Sequence, residues 1–151
     1  MRLEKVNEQN WRKVISLELK DSQHSYIESN AQSLLEAAYD TSLVWYPFAV
    51  VHDSEIIGFT MIGNYNPEEK WIWLDRIMLG KHAQGKGLGT DLLNEIVTTI
   101  TENWDVCEIV LSVTPDNESA IGFYEKFGFE WLDQTDPANG EKLMRLRVDT
   151  I

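Results

Sequence analysis

The chain has 151 residues, which is long enough for one compact domain with a buried core, and we expect a single domain over residues 1–151. Its formal net charge of -12 argues against generic nucleic-acid binding, because an acidic surface repels phosphate. A mean hydropathy of -0.30, without an apolar run of about 20 residues, argues against a membrane protein. We expect a cytoplasmic location, because the first residues lack a secretory signal and one cysteine cannot form an internal disulfide.

The first half of the chain mixes two periodicities. Apolar residues at 11, 14, 15 and 19 recur at helical spacing, whereas "KWIWLDRIML" has the aromatic and branched residues typical of a strand. We expect Pro47 to mark a break before a hairpin. The elements predicted here are a strand at 1–6, a helix capped by Asn7 or Asn10 and running through Leu19, a helix after Ser25 to about Tyr39, two strands within 48–63 around a turn at 53–55, and a strand at 70–79.

The second half predicts a strand–helix–strand crossover followed by a closing pair of strands. A long helix is predicted from Leu88 because its apolar residues line one face. In the strand "CEIVLSV", Cys107 shares a face with apolar residues, so we expect a buried core residue rather than a nucleophile. A further helix from about Ser119 should end at Gly128, and residues 130–148 predict two strands. The pattern is that of an α/β protein with mostly antiparallel strands.

The segment "HAQGKGLGTDLLNEI" at 82–96 places three glycines directly before the long helix. Glycines let backbone amides point into one concavity, where the helix N-terminus adds partial positive charge, and this combination suits a pyrophosphate. Lys81 and Lys86 could add charge at its rim. The spacing fits neither the Rossmann fingerprint nor a Walker A loop. A flexible turn without a ligand is the alternative that the glycines alone leave open.

Two motifs together resemble those of a known family. The run from Gln84 to Gly89, "QGKGLG", resembles the Gln/Arg-x-x-Gly-x-Gly/Ala motif of the GNAT acetyltransferases, and Asn117 with "ESAIGFYEKFGF" resembles their second signature. The resemblance implies a GNAT fold, with a mixed sheet of about seven strands flanked by about four helices. It also implies acetyl-CoA as the cofactor and N-acetyl transfer as the reaction. Three stretches, "HSYIES", "WLDRIML" and "NGEK", further resemble bacterial spermidine/spermine (diamine) N-acetyltransferases.

The resemblance also implies roles for individual residues. Asp75 would act near the reacting amine, and Tyr124 would face the thioester sulfur. Tyr26, Glu28 and Asp75 would bind the polyamine. The residues that would bind the cofactor are Ile77, Met78, Leu79, Gln84, Gly85, Lys86, Gly87, Leu88, Gly89, Thr90, Asn117 and Tyr124.

Three of these residues could have either a functional or a structural role. An ammonium must lose its proton before it attacks, and Asp75 suits that task if it shares an apolar face with Trp73 and Ile77, which would raise its pKa. The alternative is a structural carboxylate held by a local donor. Tyr124 could protonate the departing thiolate, or it could be an ordinary core aromatic. Glu28 could instead complete a capping box with Ser25.

We therefore expect a direct transfer of acetyl to a primary amine of a polyamine. Other amines, such as a protein N-terminus, a lysine or an aminoglycoside, and a non-catalytic acyl-CoA sensor are the alternatives. No metal is expected, because His24, His52 and His82 lack metal-ligand spacing. Trp45 and Trp71 could edge the substrate groove. We expect no nucleic-acid or membrane partner, and relatives suggest a possible homodimer.

Overall fold

The computed structural model describes residues 1–20 and 29–148. Its centre is a seven-stranded sheet in the order β1-β2-β3-β4-β5-β7-β6. Neighbouring strands are antiparallel except β4 and β5, which run parallel. The strands are β1 Arg2–Lys5, β2 Trp45–His52, β3 Glu55–Asn66, β4 Trp71–Leu79, β5 Glu108–Val113, β6 Glu130–Thr135 and β7 Lys142–Arg147. The α-helices in the described ranges are α1 Trp11–Ile15, α2 Asn30–Tyr39, α3 Leu88–Asn103 and α4 Glu118–Phe127. The predicted α/β class, with a mostly antiparallel sheet, is confirmed.

Two apolar clusters cover the two faces of the sheet. On one face, the buried side of α3 packs with residues of α4 against the strands. The other face carries a smaller cluster, in which Val14 of α1 and Leu34 of α2 contact Phe59 and Met61 of β3. Burying the larger residues of such clusters contributes about 1.5 to 3 kcal/mol each. The sheet is therefore the rigid layer from which both sides of the site are built.

The first helix is shorter than predicted. It ends at Ile15, and Ser16 donates its hydroxyl to the Lys13 carbonyl at 2.8 Å, a local bond that competes with further helical turns. Asn10 occupies the N-cap position, but its side chain makes no cap bond. Its Oδ1 atom instead accepts a bond from the Asn7 amide at 2.8 Å. The prediction of a helix through Leu19 is therefore wrong.

The second helix has a different start from the one predicted. Ser25 and Glu28, with the predicted capping box, lie outside the described residues. The described helix begins at Asn30, and the hydroxyl of Ser29 accepts a bond from the Gln32 amide at 3.1 Å. Ser29 is therefore its N-cap.

Pro47 and Cys107 also depart from their predicted places. Pro47 lies inside β2, not before it. Its carbonyl accepts from Val6 just beyond the β1 ladder, so the missing proline N–H faces a position where β1 no longer pairs. Cys107 is exposed, not buried, because it lies in the bend before β5, where its amide donates to the Lys70 carbonyl at 2.7 Å. The hairpin turn is confirmed, with positive φ angles at residues 53 and 54.

A bulge in β4 determines how the strand presents its side chains. Arg76 pairs with Met61 and Leu74 pairs with Ile62, so Asp75 is an extra residue on β4. Leu74 and Ile77 consequently both pack in the α3/α4 cluster. Side chains alternate on each side of the bulge, so Trp73 and Ile77 point to opposite faces. The prediction that Asp75 shares one face with both residues is wrong, because the simple strand period assumed no bulge.

The same region opens the sheet. The parallel pairing of β4 with β5 runs from Trp71 to Trp73, opposite residues 108–110. β4 continues to Leu79, but its second half pairs with β3 alone among the described strands. A gap therefore separates the C-terminal ends of β4 and β5.

Candidate active site

Two cavities meet at the gap between β4 and β5. The larger has a volume of about 850 Å³ and follows the second half of β4, the glycine loop and the start of α4. We call it the loop cleft. The residues that line it are Leu19, Ile77, Met78, Leu79, Ala83, Gln84, Gly85, Gly87, Leu88, Gly89, Thr90, Leu92, Asp116, Asn117, Glu118, Ser119, Ala120, Phe123 and Tyr124.

The smaller cavity, of about 340 Å³, lies between α2, the bulged part of β4, β5 and the turn that joins β6 to β7. We call it the acidic cavity. Four residues line both spaces, so the two cavities share a wall: Ile77, Asn117, Ala120 and Tyr124. The other residues that line the acidic cavity are Glu36, Trp73, Leu74, Asp75, Arg76, Leu111, Ser112, Val113, Thr114, Asp136, Asn139 and Glu141.

The glycine loop has the geometry of an anion cradle. Gly85 and Gly87 both have φ of 75°, in the left-handed region that glycine adopts without strain. A Cβ atom at either position would find nothing within 4 Å, so the loop leaves open space above its backbone. Gly87 is the N-cap of α3 and offers no side-chain acceptor to the first-turn amides. These amides therefore need acceptors from elsewhere, which fits the pyrophosphate of acetyl-CoA.

The loop is fixed to the strand and to the neighbouring helix. Gln84 donates its side-chain amide to the Leu79 carbonyl at 2.9 Å, which ties the loop to the end of β4. A Cβ at Gly89 would lie 3.2 Å from the Phe123 ring, so this glycine permits close packing of α3 on α4. Lys86 is exposed and is not among the lining residues of the cleft. Lys81 pairs with Glu18 at 2.7 Å.

The strand wall of the loop cleft offers backbone groups from alternate residues. The amide of Gly80 donates to the Ile57 carbonyl of β3 at 2.8 Å. By the alternation of an antiparallel ladder, Met78 also turns its backbone groups toward β3, whereas Ile77 and Leu79 turn theirs toward the gap. Met78 contacts the loop cleft but packs its side chain in the cluster under α1 and α2.

Asn117 and Tyr124 project from α4 at the shared wall. Asn117 is the N-cap of α4, and its Oδ1 accepts from the Ala120 amide at 3.3 Å. The Tyr124 ring lies 5.5 Å from the Phe123 ring and 5.6 Å from the Phe129 ring. Burial raises the pKa of the Tyr124 phenol well above its ordinary value, so the group keeps its proton.

Among the described residues, four carboxylates and one cation line the acidic cavity. Glu36 comes from α2, Asp75 from β4, and the last two, Asp136 and Glu141, come from the β6–β7 turn. The cation is Arg76, which is buried and donates to the Ser29 carbonyl, Asn30 Oδ1 and Ser33 Oγ at the start of α2.

Asp75 is exposed at the mouth of this cavity. The predicted apolar setting is therefore wrong, and the bulge is the physical reason, because it lifts Asp75 out of the alternating pattern of β4. Its neighbour Arg76 bonds to residues at the start of α2.

Glu141 is a site residue that the sequence reasoning missed. The Ser112 hydroxyl donates to Glu141 Oε2 at 2.6 Å, which joins β5 to the β6–β7 turn. Asp136 accepts from the Ala138 amide at 2.9 Å and so closes the turn. The "NGEK" stretch contained this signal, but the sequence could not say that its glutamate faces the same space as Asp75.

Other predicted residues lie elsewhere. Tyr26 and Glu28 fall outside the described residues. Trp45 packs under α1 and α2, and Trp71 donates to Glu69 at 3.0 Å; neither lines the two cavities. Within residues 1–20 and 29–148, no group of three or more His, Cys, Asp or Glu could hold a metal ion. None of the helices in those ranges has the length and apolarity needed to cross a bilayer.

Comparison with known proteins agrees with this geometry. The sequence pattern of the Acetyltransferase (GNAT) family matches residues 11–129. A probable spermine N(1)-acetyltransferase of Bacillus subtilis subsp. natto is 33% identical over 144 residues, which cover 92% of this chain and 93% of the relative.

Two solved structures share the fold. A spermidine N-acetyltransferase from Vibrio cholerae, solved with CoA and spermine, has a TM-score of 0.71 at 21% identity and covers 96% of this chain and 94% of its own. An aminoglycoside acetyltransferase, solved with coenzyme A, has a TM-score of 0.77 at 20% identity and covers 97% of this chain and 94% of its own. The chain belongs to the GNAT family and is an acetyl-CoA-dependent N-acetyltransferase.

Proposed function

We propose that this enzyme transfers acetyl from acetyl-CoA to a primary amine of a polyamine such as spermidine or spermine, by direct attack within a ternary complex. The observation that carries the proposal is the acidic cavity, where four carboxylates surround a space that shares Tyr124 with the loop cleft. Because the lining residues include four carboxylates and one buried guanidinium, their net charge is negative and favours a ligand with several positive charges. The relative from Bacillus subtilis subsp. natto is named for spermine acetylation.

The donor side would hold acetyl-CoA chiefly through backbone. Residues 85 to 90 would present amides to the pyrophosphate, and the backbone groups of Ile77 and Leu79 would bind the pantetheine arm and the thioester carbonyl. Asn117 would contact the cofactor at the shared wall. When bound, acetyl-CoA supplies an activated acetyl thioester. A backbone amide aimed at the carbonyl oxygen typically contributes roughly 3 to 4 kcal/mol to catalysis of such a transfer.

Two side chains would move the protons. The pKa of a primary ammonium in water is about 10.4, so at neutral pH a base is needed to remove its proton. Asp75, at the mouth of the acidic cavity, would take the proton from the ammonium directly or through water. The amine nitrogen would then form the new bond to the acetyl carbon while the carbon–sulfur bond breaks. Tyr124 would return a proton to the departing sulfur, because burial keeps its phenol protonated.

Direct attack is supported by the position of the chain's single cysteine. Cys107 precedes β5 at the end where β4 and β5 still pair, whereas the gap opens at the opposite ends of these strands. Cys107 is also absent from the lining of both cavities. The gap therefore lacks the cysteine that would have to attack the thioester to form an acetyl-cysteine intermediate.

The test is acetyl-CoA-dependent release of free thiol with spermidine, an aminoglycoside, a lysine peptide or no amine. We expect fast, saturable release with spermidine and little with the other acceptors, and mass spectrometry should find acetylated spermidine. Preferential release with another amine would contradict the polyamine assignment. Tight acetyl-CoA binding without turnover on any amine would instead indicate a sensor.

A further inference from the structure

Glu141 differs from the other carboxylates of the acidic cavity in how it is held. One oxygen, Oε2, accepts the 2.6 Å bond from Ser112. In the described part of the chain, Ser112 is the one side chain that bonds to the Glu141 carboxylate. The other oxygen is therefore available to a ligand while the group stays oriented. An ordered charge binds a cation better than a mobile one, because less side-chain entropy is lost on binding.

The strands explain why this contact forms. Ser112 pairs with Leu143 across β5 and β7, and Glu141 is the diagonal neighbour of Ser112 on the same sheet face. The turn before β7 is closed by bonds of its own, including Gly140 to the Asp136 carbonyl at 2.8 Å. Gly140 has φ of 73°, which suits a glycine. These contacts define the conformation of the turn that carries Glu141.

Glu141 and Asp75 approach the cavity from opposite sides of the gap. Asp75 belongs to β4, while Glu141 is tied to β5 through Ser112. An acceptor amine that places its reacting nitrogen at the gap lies near Asp75 of β4. A second positive group on the same molecule can then contact Glu141. Monoamines have no second group to use this contact.

We propose that Glu141, oriented by Ser112, binds a non-reacting ammonium of the acceptor and selects acceptors with two or more cations over monoamines. This inference rests on the proposed function and assigns one specificity residue within it. Ser112 is a positioning residue, since it acts through Glu141.

The test compares 1,4-diaminobutane with butylamine, which has the same carbon chain and one ammonium. A hydrogen bond between charged groups is worth about 10- to 100-fold in binding. Glu141→Gln should lower kcat/KM for the diamine by about tenfold or more through KM, and should change that for butylamine by less than about twofold. Acetyl-CoA affinity should not change, because Glu141 lies outside the loop cleft.

The matched control is Asp133→Asn. It removes a charge from the neighbouring strand β6, at an exposed residue that lines neither cavity, and asparagine tolerates the φ of 59° at this position. We expect a change of less than about threefold, since screened charges at a distance contribute little. Equal effects of Glu141→Gln and Asp133→Asn would overturn the inference, because the net charge of the protein rather than a contact of Glu141 would then be responsible.

Ser112 supplies a second, independent readout. Ser112→Ala should raise the diamine KM by a few-fold, Ser112→Thr should restore it, and Ser112→Ala should have no further effect in the Glu141→Gln background. Additive effects would overturn the positioning role. Wild-type turnover of the diamine with an unaffected Glu141→Gln variant would overturn this inference alone. Absence of wild-type polyamine turnover would overturn the proposed function as well.

Discussion

The loop cleft and the acidic cavity share a wall but are formed by different parts of the chain. Apart from Leu19, the loop cleft is lined by two short stretches of chain, the segment from Ile77 to Leu92 and the segment from Asp116 to Tyr124. The acidic cavity uses side chains from α2, β4, β5 and the β6–β7 turn, which are distant in sequence. Backbone groups can bind the same ligand whatever the neighbouring side chains are. The acceptor side can therefore change its substrate without changing how the donor is held.

The largest effect should come from removing the proton at the shared wall. Tyr124→Phe keeps the ring contacts with Phe123 and Phe129 but loses the phenol. General acid catalysis typically contributes about 10²- to 10⁴-fold, so kcat should fall within that range. Acetyl-CoA affinity, measured by calorimetry, should stay within about threefold.

Tyr65→Phe is the matched control for this variant. Tyr65 donates its hydroxyl to the Asp105 carbonyl at 3.0 Å and lines neither cavity. We expect normal turnover and a stability loss of about 1 kcal/mol. A Tyr124→Phe enzyme as fast as Tyr65→Phe would return Tyr124 to the role of a core aromatic.

The second effect tests how the acceptor side is assembled. Arg76→Met removes the buried guanidinium that bonds to Asn30 and Ser33 and should cost about 3 kcal/mol in the free energy of unfolding. Urea denaturation provides the measurement. Arg147→Met is the control, because Arg147 is exposed and its pair with Glu130 at 3.3 Å should be worth less than about 1 kcal/mol. Similar losses in both variants would show that Arg76 does not fix α2.

The third effect tests the donor side. Gly87→Ala places a side chain at φ of 75°, which costs roughly 1 to 2 kcal/mol and favours a loop conformation that no longer presents the amides of α3. Acetyl-CoA binding should weaken by roughly tenfold. Gly122→Ala, in the exposed middle of α4 with nothing within 4 Å, should leave binding unchanged and stabilise the helix by up to about 1 kcal/mol. Equal affinities for both variants would contradict the cradle.

The smallest effect concerns pH. Burial raises the pKa of Tyr124 above its ordinary 10.0, so the unfolded chain loses this proton first as pH rises. The stability from this group is complete well below pH 10 and is lost as pH rises above 10, at a limiting rate of about 1.4 kcal/mol per pH unit. The unfolded tyrosine is already half ionised at pH 10, so the wild type should lose about 1 kcal/mol more than Tyr124→Phe between pH 10 and pH 11 in denaturant unfolding. Equal losses in the two proteins would indicate that the Tyr124 phenol has its ordinary pKa in the folded state.

The two cavities also differ in how far the sequence could predict them. The glycines at 85, 87 and 89 form a local motif, and Tyr124 lies at a fixed distance along the helix after Asn117, so the resemblance of these short motifs to those of the family was enough to predict that they line one site. Even there the roles differ, because Gly89 serves packing against Phe123 rather than a positive φ.

The acidic cavity depends on features that spacing does not encode. The bulge at Asp75 arises from pairing with β3, and a period-two reading of β4 alone misassigned the faces. Glu36 reaches the cavity of Asp75 through the packing of α2 on the sheet, and Glu141 reaches it through the order of the strands. The burial of Cys107 was predicted wrongly because the spacing does not fix where a strand begins, and β5 begins one residue after Cys107.

The most direct test of the account is the initial-rate pattern with acetyl-CoA and spermidine varied together. Two cavities that meet at Tyr124 and Ile77 allow donor and acceptor to bind at the same time, so we expect double-reciprocal lines that intersect. Parallel lines, together with an acetylated enzyme isolated without the amine, would contradict direct transfer between the two cavities.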